Sequence, residues 1–196
     1  MSLYLLGASG HAKVVLDIAE KAGIKVEGLY DSDHYITELK LHEVRHTSEI
    51  TDSDELIISI GDNHTRKVLT QKFKKNRYGL LVHPTAIVNS DVSFGDGTVI
   101  MAGTVINSDS KIGNHCIINT AASVDHDCDI ADYVHIAPNS TLCGGVDVGE
   151  GTLIGAGAVI LPNIKIGSWV KIGAGSVVIS DVENGQTVAG NPAKLL

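Results

Sequence analysis

From Ala86 to Asp181 the chain runs as sixteen consecutive blocks of six residues with no insertion. The third position of every block, from Val88 through Ile118 and Ile154 to Val178, is apolar, and fourteen of the sixteen are Ile or Val. The first position is mostly small, and the fourth is often Gly or Asn, residues that turn corners at positive φ. An α-helix repeats near every 3.6 residues and a strand every two, so neither explains a period of six. A solenoid does, with short flat faces and a corner every six residues. Three faces per turn stack residues 18 apart in sequence at about 4.8 Å per coil. The blocks then make about five coils, roughly 25 Å tall. Composition agrees: 21 Gly against 4 Pro suits many tight turns, and 4 % aromatics leaves a core of Val, Ile, Leu and Ala.

The first eighty residues lack this period. Residues 3–6 (LYLL) read as a buried strand, followed by the turn Gly7-Ala8-Ser9-Gly10-His11. Residues 12–22 have helical spacing, with Val14, Val15, Ile18 and Ala22 on one face. Strands are expected near 25–30, ending at Asp31-Ser32-Asp33, and at 55–60, ending at Gly61-Asp62-Asn63; a basic amphipathic helix is expected at 64–77. Strand–turn–helix–strand alternation predicts a small Rossmann-type parallel sheet over residues 1–80, leaving 81–196 to the β-solenoid. Ligands of such sheets bind beyond the carboxyl ends of the strands. Segments 9–11, 31–33 and 61–64 lie there, and free N–H groups at a helix start favour an anion such as a diphosphate. The short turn is equally compatible with a plain βα connection, since it lacks the full GxGxxG pattern.

The formal net charge of −8 argues against nucleic-acid binding. It is unevenly spread, with 11 Lys/Arg against 12 Asp/Glu in residues 1–80 and 4 against 11 in residues 81–196. No apolar run approaches the roughly 18 residues of a membrane span. The N-terminus does not read as a signal peptide, and three Cys without a CxxC read as reduced thiols, so a cytoplasmic location is expected.

Together with the hexads, the segments GASGH at 7–11, IGDN at 60–63, HPTA at 83–86, NTAASVDHDC at 119–128 and GNPAK at 190–194 carry a resemblance over essentially the full length. The chain resembles bacterial nucleotide-sugar acetyltransferases, among them the UDP-4-amino-sugar N-acetyltransferases of bacillosamine synthesis; the sialic acid O-acetyltransferases share the layout. The resemblance implies a left-handed parallel β-helix behind the Rossmann-like domain, a homotrimer with active sites between subunits, acetyl-CoA as cosubstrate and a nucleotide sugar held by the N-terminal domain. Acetylation of the amine of a UDP-4-amino sugar is the leading expectation. The alternatives are O-acetylation of a sialic-acid-type sugar and a non-catalytic nucleotide-sugar-binding trimer.

Acetyl transfer to an amine needs a base with a pKa near neutrality, which an imidazole supplies. A neighbouring carboxylate raises its basicity and sets its tautomer. His126 followed by Asp127 meets this need; the resemblance implies that this His is the base, with Asp127 in place of the family's usual Glu. Gly144 and Gly145 lie one coil beyond the pair, so they are expected to leave room for a thioester, with a Gly144 N–H for the oxyanion. His135 follows His126 by nine residues, half a coil, so the two share a site only if subunits pack side by side. The resemblance implies that His135 touches acetyl-CoA and that Ala156 and Ala174, 18 apart and therefore stacked, meet its pantetheine arm. It also implies substrate contacts at Ser9, Gly10 and His11, at Asp31 and Ser32 (an acidic pair whose second member is Ser here), and at Gly61 and His64. Asn119 is a polar contact or a corner residue. The basic run Lys67–Arg77 is a phosphate attractor or a solvated helix face. No catalytic metal is expected: His115, His126 and His135 lie 11 and 9 residues apart, so none of them stack.

Overall fold

A computed structural model describes residues 2–196. The N-terminal sheet is built from β1 (Leu3–Leu6), β2 (Val26–Asp31), β3 (Glu38–Leu39), β4 (His42–His46), β5 (Glu55–Ile58) and β6 (Arg77–Tyr78). Helix α1 (Gly10–Lys21) follows β1 and α2 (Asn63–Lys72) follows β5. The strand order is β3-β4-β2-β1-β5-β6, parallel except for the β3–β4 hairpin. The expected three strands and two helices are present; the hairpin in residues 38–46 is an addition, its tight turn set by Lys40 and Leu41 at positive φ.

Helix α1 buries Ala12, Val15, Leu16, Ile18 and Ala19, whereas Val14 is 40 % exposed, contrary to the expected face. The reason is tertiary. One side of α1 meets the sheet and the other meets the β-helix, where Leu81, Val99, Met101 and Ile117 join Leu5, Val15 and Ile18 in one apolar cluster. Helix α2 is shorter than expected and ends at Lys72. The Asp62 carboxylate caps its start by accepting the Thr65 N–H at 2.8 Å, a common use of Asp before a first turn. The basic run breaks up on the surface: Lys67 pairs with Glu150, and Lys75 lies 3.3 Å from Asp52.

Beyond Tyr78 the chain winds into a three-sided parallel β-helix. A docked face carries Leu81–Val82, Val99–Ile100, Ile117–Ile118, His135–Ile136, Leu153–Ile154, Lys171–Ile172 and Thr187–Gly190. An open face runs from Ile87–Val88 to Val177–Val178, and a charged face from Ser93–Phe94 to Lys165–Ile166. Partners in neighbouring coils are 18 residues apart, as in Val105↔Ser123 and Ile112↔Ile130. The second residue of each short strand points inward, and Ile100, Ile118, Val124, Ile136, Ile154 and Ile160 form the central core. The winding begins one rung before the sequence period, at Leu81, and its last coil is two residues short, so Lys171 pairs with Thr187. Among the described residues no helix is long and apolar enough to cross a membrane.

Candidate functional site

His126 and Asp127 form the corner between the open and charged faces. Asp127 has φ 60°, one of a series of left-handed corners that includes Asp109, Gly145 and Asn163. Asp tolerates this conformation better than most residues with a Cβ. Its short side chain still reaches: Oδ2 lies 2.7 Å from His126 Nδ1. That contact, followed by the nearby Asp125 charge, raises the His126 pKa above its ordinary value. The ring is 61 % exposed, so Nε2 is free to face a ligand.

The glycines at 144 and 145 seat side chains of the neighbouring coils. A Cβ on Gly144 would lie 2.5 Å from His126 Cε1 and 2.7 Å from Nε2, and a Cβ on Gly145 would lie 2.6 Å from Asn163 Oδ1. Glycine is needed here so that the imidazole can lie against the coil above it and Asn163 against the coil below it. The Gly144 N–H, in contrast, donates to no group among the described residues. Corners such as His126 cap this N–H with the preceding side chain, Asp125 Oδ1 at 2.9 Å. Cys143 precedes Gly144 and leaves it uncapped.

The second set of candidates lies at the carboxyl ends of β1, β2 and β5. Gly7 has φ 111° and no room for a Cβ, which would lie 2.5 Å from Ile60. Gly10 and Gly61 face open space. Asp31 is occupied structurally: Oδ2 accepts the Ala8 N–H at 2.7 Å and Oδ1 the Asp33 N–H at 3.0 Å, tying the first turn to the second loop. Ser9 and Ser32 are exposed. His11 Nε2 is buried without a partner. Burial, with the Arg66 charge second, lowers the His11 pKa to about 4. It is therefore neutral at pH 7, a ring available for hydrogen bonding rather than a cation.

His135 sits on the docked face with its ring centroid 6.4 Å from that of His11. Its Nδ1 is 3.3 Å from the Gly61 carbonyl and its Nε2 is 3.0 Å from Asn119 Nδ2. A carbonyl only accepts, so Nδ1 carries the proton and Nε2 accepts from Asn119. Burial and Arg66 hold this ring neutral as well, with a pKa of about 4. His64 is exposed and edge-on to Trp169 at 5.8 Å. Gly61, Asn63, His64, His135, Trp169 and Lys171 line a cleft of about 580 Å³ beside this junction.

Arg66 escaped sequence reasoning. It is 1 % exposed and pairs with no carboxylate among the described residues. Its guanidinium donates to four carbonyls: Ile60 and Gly61 of the N-terminal domain, and His115 and Tyr133 of the β-helix. Asn63 adds donations to Gly151 and Thr152. These bonds bolt segment 60–66 to the docked face. The available signal was an Arg at the first turn of an otherwise exposed basic helix, and nothing local distinguishes it from its Lys neighbours.

Three sequence candidates therefore converge within one chain: His11, Gly61 and His135. Ala156 and Ala174 also stack, through Gly175 N–H to Ala156 O at 2.8 Å, at the exposed corner between docked and open faces. His126 and Asp127 are held at a different corner. Among the described residues no three His, Cys, Asp or Glu side chains gather as a metal site.

Two family models match the chain: the PglD N-terminal domain over residues 2–73, and the bacterial transferase hexapeptide (six repeats) over residues 145–180. Among solved structures, a mutant of perosamine N-acetyltransferase from Caulobacter crescentus in complex with CoA and GDP-perosamine is 34 % identical, with a TM-score of 0.94 over 100 % of this chain and 97 % of that one. The acetyltransferase domain of PglB from Neisseria gonorrhoeae in complex with acetyl coenzyme A is 34 % identical, with a TM-score of 0.93 over 100 % and 98 %. WeeI from Acinetobacter baumannii is 28 % identical, with a TM-score of 0.93 over 100 % of both chains. No curated protein matches.

Proposed function

The chain belongs to the family of nucleotide-sugar acetyltransferases that join a PglD-type N-terminal domain to a hexapeptide β-helix, and on that premise we propose that it moves an acetyl group from acetyl-CoA to the amine of a nucleotide-activated 4-amino sugar. The observation that carries the reading is the His126–Asp127 contact of 2.7 Å beside the uncapped Gly144 N–H. Asp127 accepts from Nδ1–H, which leaves the Nε2 lone pair free. Nε2 takes the proton of the attacking nitrogen as the new C–N bond forms. The Gly144 N–H donates to the oxygen of the thioester carbonyl as it gains charge. Collapse breaks the C–S bond, and the imidazolium returns the proton to the departing thiolate.

The N-terminal segments would hold the nucleotide sugar, with neutral His11 and the open backbone at Gly10 and Gly61 facing it. The stacked Ala156 and Ala174 offer a bare edge for an extended pantetheine arm. Because His126 and His135 sit on different sides of one prism, the complete site is proposed to lie between copies in a homotrimer. The open face suits such packing: its outward residues Ile87, Val105, Ser123, Thr141, Val159 and Val177 carry no charge. Uridine as the base rests on the sequence resemblance; the perosamine enzyme carries guanosine.

The test is acetyl-CoA-dependent mass gain on UDP-, GDP- and dTDP-4-amino sugars and on free and CMP-linked sialic acids, with His126→Ala as control. One acetyl gained on a nucleotide amino sugar and lost in the variant supports the reading. Acetylation of the sialic acids alone, or full activity of His126→Ala, overturns it.

A further inference from the structure

The corner that carries His126 contains a second carboxylate, Asp125. Its Oδ1 accepts the His126 N–H at 2.9 Å and the Nδ2 of Asn107, one coil below, at 2.8 Å. At the same position of other six-residue blocks a neutral residue makes this cap. Two coils below, at the same corner, Asn89 Oδ1 accepts the Ser90 N–H at 2.8 Å, and at the corner between docked and open faces Asn119 Oδ1 accepts the Thr120 N–H at 2.8 Å. The cap therefore needs an oxygen but no charge. Of these three caps, the one that precedes a histidine is made by a charged residue, and Asn makes the other two.

We propose that Asp125, locked by Asn107, is a positioning residue that sets the His126 backbone by capping its N–H and whose negative charge stabilises the imidazolium formed during acetyl transfer. This rests on His126 being the base. The imidazole thus has a carboxylate on each side in sequence: Asp127 on Nδ1 and Asp125 beneath its own N–H. The coil below brings Ser108 and Asp109 to the same corner, and the coil above brings Cys143, Gly144 and Gly145, with Asn163 beyond. Asp129 starts the adjoining charged face. Lys111, paired in register with Asp129 one coil below, is the nearby cation of that face; the corner positions themselves carry no Lys or Arg. The Asn107 bond fixes the Asp125 oxygen beneath the His126 N–H at the surface of the corner, where its charge is screened by salt.

The test is Asp125→Asn in the full-length chain, because Asn can keep both hydrogen bonds and removes only the charge. The expected result is an unchanged melting temperature, an acid limb of kcat/KM moved to lower pH, and a two- to fivefold loss of kcat at neutral pH, about the factor of a screened surface charge. The His126 Cε1 proton, assigned with His126→Ala, should titrate at lower pH by NMR. Asp109→Asn, which removes a charge outside the cap, should move both readouts less. Superimposable profiles and NMR titrations for Asp125→Asn and wild type would overturn the proposal while leaving His126 as the base. An active His126→Ala enzyme would instead remove the reading it rests on, and the proposal with it. Should Asp125→Asn fail to fold, Asp125→Ser, whose hydroxyl can also cap the N–H, is read by the same titration.

Discussion

Gly144→Ala separates the position of the imidazole from everything else at the proposed catalytic corner. Gly144 is not at positive φ, so alanine meets no backbone penalty. The new methyl would lie 2.5, 2.7 and 3.1 Å from Cε1, Nε2 and Nδ1 of His126. Ordinary carbon contacts begin near 3.5 Å, so the ring must retreat by about 1 Å. It can do so cheaply, being 61 % exposed, and the fold should barely register the change: melting within about 2 °C of wild type. Catalysis should register it strongly. The retreat strains or breaks the 2.7 Å contact with Asp127, and misplacing a reacting group by about 1 Å costs on the order of 100-fold in rate. The Gly144 N–H survives in alanine, so the loss cannot be assigned to the oxyanion donor. Steady-state acetylation at saturating acceptor, paired with thermal melts, measures both quantities. Wild-type kcat in a folded Gly144→Ala protein would refute the argument that this glycine exists to seat the ring.

Arg66→Met should lower stability by at least about 3 kcal/mol, seen in chemical denaturation, because four carbonyls lose a buried donor and each left unpaired costs about 1–3 kcal/mol. The pKa values of His11, His115 and His135 are lowered by burial to about 4. The unfolded chain therefore binds more protons between about 6.5 and about 4, and stability should fall as pH drops through that window. The slope is up to about 1.4 kcal/mol per pH unit for each ring, and His115→Gln should shallow it in pH-dependent melts. Val159→Glu places a charge on the outward row of the open face; light scattering should show smaller particles and the assay lost activity, whereas an unchanged mass would remove the open face as the subunit contact.

The β-helix was legible because its rule is local: one inward apolar residue every six positions is both the sequence pattern and the physical cause of the coil. The same rule stacks Ala156 on Ala174 and places Gly144 over His126 from residue number alone. It did not say what a missing Cβ is for, because two side chains compete for each gap and only packing shows that the imidazole and Asn163 fill them. It also misjudged the ends, where the rung at Leu81 hides in the connection and the last coil contracts by two residues. In the N-terminal domain the strand–helix alternation was readable, while the β3–β4 hairpin was not, since its residues show neither a clear period nor a marked turn.

Sequence alone determined the two kinds of fold, the corner that bears His126 and Asp127, and the separation of that corner from His135, because repeats convert residue number directly into position. Tertiary structure decided what has no local signature. It turned α1 so that Val14 faces solvent, buried Arg66 among four carbonyls contributed by distant segments, and joined Gly61 to His135 across 74 residues. It also held His11 and His135 neutral, since a pKa depends on the water that packing removes and on charges that only folding brings near.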